Sequence, residues 1–406
     1  MGHRALLLSL LVVACGRSPA ARAPVVEPVT TDGALARLNL EAMIGGREMM
    51  LARNPASGSV RLTLVTLLQA RSSTYGRVED LERAEEVAER GVRLAPNDPE
   101  AWLARAASRA SLHRFAEAAA DLDRAQSLGA SEKEVLTQRA SIALARGDFA
   151  QALKIDRAHA EREPGMATLS VLGTALAESG DEAGAHAAFA RALALYRDTS
   201  PFPVAFLDFQ EGLLAERRGD LQNAAERYRA VLRRLPGHAQ AAVHLSSIES
   251  VLGHITPAQA ALRTVLPDAS DPEILAARAD VARRAGDTEA AAREEAAARA
   301  RYLVLLGRHP DAYADHAARF FVDRDPEVAL RWATNNLAVR QTPEAFDLAL
   351  TAAVRARDDR ARCEIAHRAG ALGVRTSRLQ ALMTSGSATC RDGATPGVGG
   401  LARSNR

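Results

Sequence analysis

The chain has 406 residues, 52 basic and 50 acidic side chains for a formal net charge of +2, and only 4% aromatics. That length exceeds what one ordinary hydrophobic core serves, so the chain must split into domains or repeat a small unit. Its two charge signs are interspersed with no basic stripe, which excludes nucleic acid as an expected partner. Alanine is about one residue in five, a composition that suits closely packed helices. Few segments alternate with the period of a strand, so an all-α chain is predicted.

The N-terminus carries an apolar run from Ala5 to Ala14, broken only by Ser9. It is too short to span a bilayer as a helix and has the length of a signal-peptide core. It ends in Leu11-Val12-Val13-Ala14-Cys15-Gly16, which resembles the bacterial lipobox. The resemblance implies cleavage after residue 14 and acylation of Cys15, and so a membrane anchor made of acyl chains. Gly16 after the cysteine resembles the default outer-membrane sorting signal of enterobacterial lipoproteins. Residues 1–14 are thus read as a signal peptide and 15–32, with Pro19, Pro24 and Pro28, as an extended tether. Residues 33–59 are read as an N-terminal capping helix region.

From there a beat of about 34 residues sets in, as repeat architectures require. Gly-Asp turns stand at Gly147-Asp148, Gly180-Asp181, Gly219-Asp220 and Gly286-Asp287. Glycine ends a helix because it tolerates positive φ, and aspartate starts the next by accepting from its free N–H groups. A small residue recurs in phase with these turns, at Ala84, Ala118, Ala152, Ala185, Ala224, Ala258 and Ala291. Asp98-Pro99, Asp271-Pro272, Asp325-Pro326 and Thr342-Pro343 read as N-caps before a first-turn proline, and Thr256-Pro257-Ala258-Gln259 has capping-box spacing. Arg197 to Pro203 reads as a longer loop, and Thr288 to Leu306 as a lengthened helix.

Leu172-Gly173, Ala185, Phe189 and Ala192 in one unit, Trp102, Ala118 and Ala125 in another, and Gly212, Ala224, Tyr228 and Pro236 in a third resemble the tetratricopeptide repeat. Pro96, Pro164 and Pro236 stand where that family closes its unit. Its mid-helix aromatic is replaced here by Arg109, Ala143, Leu176 and Ala215. The resemblance implies a right-handed α-solenoid of helix–turn–helix units over residues 60–306, with degenerate helical repeats over 307–385. The Gly-, Ser- and Thr-rich stretch 386–406 is read as a disordered tail. A carboxylate clamp, as some members carry, is not expected, because the groove positions Thr137, Ser141, Ala145, Ser170, Thr174 and Ala177 bear no charge.

No phosphate loop, nucleophile elbow or zinc-protease motif occurs, so neither an enzyme nor a cofactor is expected. Cys363 and His367 share a helix face, and Cys363 can pair with Cys390 in an exported chain. His309, Asp311, Asp315 and His316 crowd a helix start, where the helix dipole accounts for the acids. Asn336, beside Asn335, is read as an interhelical hydrogen bond that fixes register. Phe202, Phe206 and Phe209 form the densest aromatic patch. One register points it into the groove as a partner anchor; the other makes Phe206, Phe209 and Leu213 a core stripe. The expected function is a membrane-anchored scaffold of the bacterial envelope, facing the periplasm from the outer membrane and holding a protein or peptide in its groove. A cytoplasmic regulatory repeat protein, or an enzyme with a site in the degenerate repeats, are the alternatives.

Overall fold

The computed structural model describes residues 28–374 together with 379 and 381. The signal peptide, Cys15, Cys390 and the tail lie outside the described residues. Those described form nineteen α-helices and no strand. A first helix, α1 (Gly33–Arg53), precedes nine helical hairpins. The first four are α2 (Gly58–Tyr75) with α3 (Glu79–Leu94), α4 (Pro99–Ser111) with α5 (Phe115–Ser127), α6 (Glu132–Arg146) with α7 (Phe149–Arg162), and α8 (Met166–Glu178) with α9 (Glu182–Ala194). Next come α10 (Pro201–Arg217) with α11 (Leu221–Arg234), α12 (Ala239–Val251) with α13 (Ile255–Arg263), and α14 (Pro272–Arg284) with α15 (Thr288–Arg308). The last two are α16 (Pro310–Phe321) with α17 (Pro326–Val339), and α18 (Pro343–Arg355) with α19 (Asp359–Ala371).

The punctuation read from sequence is the punctuation of the fold. Gly147, Gly180, Gly219 and Gly286 all have φ between +76° and +92°. Asp148, Asp181, Asp220 and Asp287 each accept from a backbone N–H three residues on. Asp98, Asp271, Asp325 and Thr342 cap the proline-started helices, the first two accepting from the N–H two residues on and the last two from the N–H three residues on. Thr256 does not cap: α13 already begins at Ile255 behind His254, so Thr256 lies inside the first turn. The loop after α9 is also shorter than expected, because Pro201 and Pro203 fall within the first turn of α10.

Small residues do what close packing asks of them. A side chain on Gly173 would run into the Phe189 ring across the hairpin, and one on Gly212 would meet the Tyr228 ring at 2.7 Å. Where the mid-helix aromatic is missing in α4, Arg109 is held instead by Asp121 at 2.8 Å and Glu89 at 2.9 Å. The expected Asn336 hydrogen bond fails: the residue is buried, but its side-chain oxygen finds no donor.

The hairpins wind so tightly that successive turns of the superhelix touch. The Gly76 carbonyl, in the α2–α3 turn, accepts from Ser270 and Asp271 in the loop before α14, at 2.8 and 3.0 Å. In the α4–α5 turn, His113 Nδ1 donates to the Asp311 carbonyl at the start of α16, at 3.0 Å. In the α6–α7 turn, the Arg146 carbonyl accepts from Gln341 before α18, at 3.0 Å. Each turn therefore meets the loop that opens the hairpin six places further on. Gly33 obeys the same offset at the start of α1, packing on Arg234 and Pro236 before α12. The seam is apolar inside, where Val78 and Leu112 join the core of α15 to α19. Ion pairs rim it: Arg77–Asp268, Glu79–Arg301 and Glu82–Arg308.

Two variants separate the turn from the seam. Gly147→Ala and Gly219→Ala both force a side chain into positive φ, at roughly 1–2 kcal/mol. An added methyl at Gly147 also meets the Gln341 carbonyl at 2.7 Å, whereas at Gly219 it meets nothing. Gly147→Ala is expected to lower the urea midpoint further, by roughly another 1–3 kcal/mol. Gly173→Leu, which drives α8 from α9, is expected to exceed roughly 3 kcal/mol, read by the same measurement.

Candidate functional site

The three phenylalanines of α10 part company. Phe209 is buried, with its ring 5.5 Å from both Tyr228 and His238. Phe202 is half-buried and reaches the core of α1 and α2 as well as its own. Phe206 remains 40% exposed. The core stripe therefore takes Phe209, with Leu213 packed partly against it, and only Phe206 stays open to a partner.

The sequence cluster at the start of α16 belongs to a larger ionic assembly. His316 Nδ1 bonds Glu273 of α14 at 2.6 Å, and its Nε2 lies 3.7 Å from Asp315. Asp315 in turn accepts from Arg340 at 2.9 Å, and Arg340 Nε donates to the Ala145 carbonyl at 3.2 Å. His309 lies 3.7 Å from Glu82, and Asp311 contributes its carbonyl to the seam. Burial disfavours a charged His316, but Asp315 and Glu273 outweigh it and hold its pKa up at about 10. Burial likewise opposes an ionised Asp315, yet His316 and Arg340 bring it down to about 2. His113, desolvated and facing Arg340, is pushed down to about 4 and is neutral at pH 7. A second trio repeats the chemistry nearby: Tyr228 and His244 Nδ1 each lie 2.8 Å from Glu216.

Both nitrogens of His316 face carboxylates, so its proton is held rather than exchanged. A ring charged until pH 10 is a poor general base at neutral pH. The geometry suits a fixed internal ion network. Cys363 is disulfide-bonded, with its partner outside the described residues, so its sulfur is not free as a metal ligand beside His367.

A groove between α6 and α7, of about 360 Å³, was not anticipated. Leu136, Ile155 and Ala158 give it apolar walls, and around them stand Lys133, Lys154, His159 and Arg162 together with Gln151 and one acid, Glu132. Lys133 and Lys154 are the only lysines in the chain. The cause is visible one repeat earlier. Trp102 and Arg124, each 34 residues before Leu136 and Ala158, fill the corresponding space in α4–α5, the guanidinium 5.9 Å from the indole centroid. Replacing both by smaller side chains opens the groove. That pairing of repeat positions was the available signal. A second cleft, of about 460 Å³, lies at the seam between Arg139, Arg146, Val339 and Leu372.

Tetratricopeptide-repeat profiles match residues 65–108 and 215–281, so the repeats are present over those stretches. No curated protein matches the chain in sequence. Among solved structures, it is similar to the APC/C hetero-tetramer Cut9-Hcn1 at 15% identity and TM-score 0.43, over 80% of this chain. It spans 62% of the length of that matched chain. Yeast Tom70 aligns at 13% identity and TM-score 0.41, over 87% of this chain and 93% of its own. A tetratricopeptide repeat protein from Parabacteroides merdae aligns at 16% identity and TM-score 0.38, over 62% of this chain and 97% of its own.

The ion network makes a pH prediction. The folded pKa of His316 lies above its unfolded value, so its stabilisation is complete below about 6.5 and lost as pH rises through about 10. His316→Gln should lower the thermal midpoint at pH 7 by the equivalent of roughly 1 kcal/mol, discounted because part of the ring meets solvent. The gap to wild type should close above pH 10.

Proposed function

We propose that this chain is a lipid-anchored scaffold of the bacterial envelope that docks an acidic, amphipathic helix of a partner protein in the α6–α7 groove. The observation that carries the docking site is the groove's combination of apolar walls with a basic rim. Helix-in-groove recognition reads apolar anchors at helical spacing, and complementary charge steers the encounter. The lipobox-like run ending at Cys15 supports the anchor. The disulfide at Cys363 supports an exported, oxidising setting. No described helix is long and apolar enough to cross a membrane.

A second reading uses Phe206 as the anchor, because its ring is exposed. A photocrosslinking residue placed at Ala158 or at Phe206 in cells separates the two. The groove reading expects a discrete adduct from position 158 that Lys154→Glu with Arg162→Glu abolishes. An adduct from position 206 alone favours the second reading. Phe206→Ala is expected to change stability by less than about 0.5 kcal/mol, and Phe209→Ala to cost roughly 3–5 kcal/mol, by denaturant melts. Fatty-acid labelling of wild type, lost in Cys15→Ser, tests the anchor; equal labelling of the two refutes it.

A further inference from the structure

Five carboxylate residues are buried among the described residues: Asp80, Asp121, Asp156, Glu249 and Asp315. Four of them face a cation. Arg71 pairs with Asp80, Arg105 and Arg109 with Asp121, Arg229 with Glu249, and Arg340 with Asp315. Asp156, in the middle of α7, has neither an ion pair nor a hydrogen bond. Burial alone pushes its carboxyl up to about 6, which leaves it mostly ionised at pH 7. A buried carboxylate without a partner works against the packing around it.

The place it occupies is a core place. Four residues before it stands Ala152, one of the phased alanines. The same step from Ala84, Ala118, Ala185, Ala224 and Ala258 reaches Ala88, Leu122, Phe189, Tyr228 and Leu262, all buried. From Ala291 it reaches Glu295, which Arg283 and Arg324 hold. Phe189 and Tyr228 fill their own hairpins, against Gly173 and Gly212. In α6–α7 that filling is missing, and the apolar core divides there. Val135 and Ile142 of α6 belong to the cluster of α4 and α5, whereas Leu153 and Ala160 of α7 belong to that of α8 and α9. Apart from these, the two helices bury only Ala140, Ala143, Ala152 and Asp156. Within α4–α5, α8–α9 and α10–α11 a single cluster joins both helices.

We propose that the coil hinges inside this hairpin, α6 and α7 parting about the Gly147-Asp148 turn. The α6 side is fixed at the seam, where the Ala145 and Arg146 carbonyls accept from Arg340 and Gln341. The α7 side moves with the α8–α9 core that holds Ala160. Across the open end stands only the exposed pair of Lys133 and Glu163, a kind of contact that contributes little. The groove lies over the divide, with Leu136 on α6 and Ile155 and Ala158 on α7, so its width follows the hinge. A docked helix then selects one setting of the coil; this regulatory sense rests on the docking proposed above, while the hinge itself does not.

Spin labels at Glu134→Cys and Glu161→Cys in the full chain read the separation of the two helices by double electron–electron resonance. Ala167→Cys with Ala194→Cys, the equivalent positions of α8–α9, form the control, and all four residues are exposed. The 134–161 distances are expected to spread roughly twice as widely as the 167–194 distances. Asp156→Leu, which supplies the filling that Leu122 gives α4–α5, should narrow them to the control width. Asp156→Asn, which removes only the charge, should narrow them in part, and it decides the matter should the leucine variant not fold. A wild-type 134–161 distribution as narrow as the control overturns the proposal. So does one that both substitutions leave equally broad. The docking reading stands or falls separately, on the adduct from position 158.

Discussion

The carbonyl of Gly76 would be an orphan at the end of a helix in an open solenoid. Here it accepts two N–H groups from the loop before α14, and much of the molecule is arranged to make that possible. The seam it belongs to recurs at His113 and Arg146 with one constant offset of six hairpins. Small residues inside the hairpins, such as Gly173 and Gly212, let paired helices pack closely. Burial of Val78 and Leu112 against the last repeats then adds apolar area to a polar join. An array that is one-dimensional in sequence becomes three-dimensional in its contacts.

Local chemistry was readable from the chain, and long-range chemistry was not. Glycine and aspartate at the turns declare themselves through φ and capping, which depend on a few neighbouring residues. The caps at Asp98, Asp271, Asp325 and Thr342 belong to the same class. Thr256 misled because His254 already occupies the cap position one residue before the helix, with its ring 2.9 Å from Glu249. Asn336 misled because burial alone does not supply a donor. His316 could be singled out by its acidic company, but its true partner, Glu273, lies on another hairpin. The split among Phe202, Phe206 and Phe209 turns on helix phase, which a patch of identical residues leaves open.

The ion network and the α6–α7 groove mark two uses of charge. In the network, imidazole, carboxylates and guanidinium face one another at 2.6 to 3.7 Å, so their fields are spent inside the protein. At the groove, Lys133 is paired with Glu163 and Glu132 also lines the wall, so the basic character of the rim rests on Lys154 and Arg162 beside the apolar side chains. Internal pairing yields rigidity, and the basic rim yields steering. The same side-chain types thus serve stability in one place and encounter in the other, divided by what surrounds them.

The offset of six has a consequence for how such a chain can change over time. An open solenoid gains or loses a unit with little harm, because each unit knows only its neighbours. In this coil, deleting one hairpin between the α2–α3 turn and α14 would carry every later loop out of line with the turn beneath it. Gly76 would then face a loop that lacks Ser270 and Asp271. The number of hairpins between each turn and the loop it meets is therefore tied to the circumference of the coil.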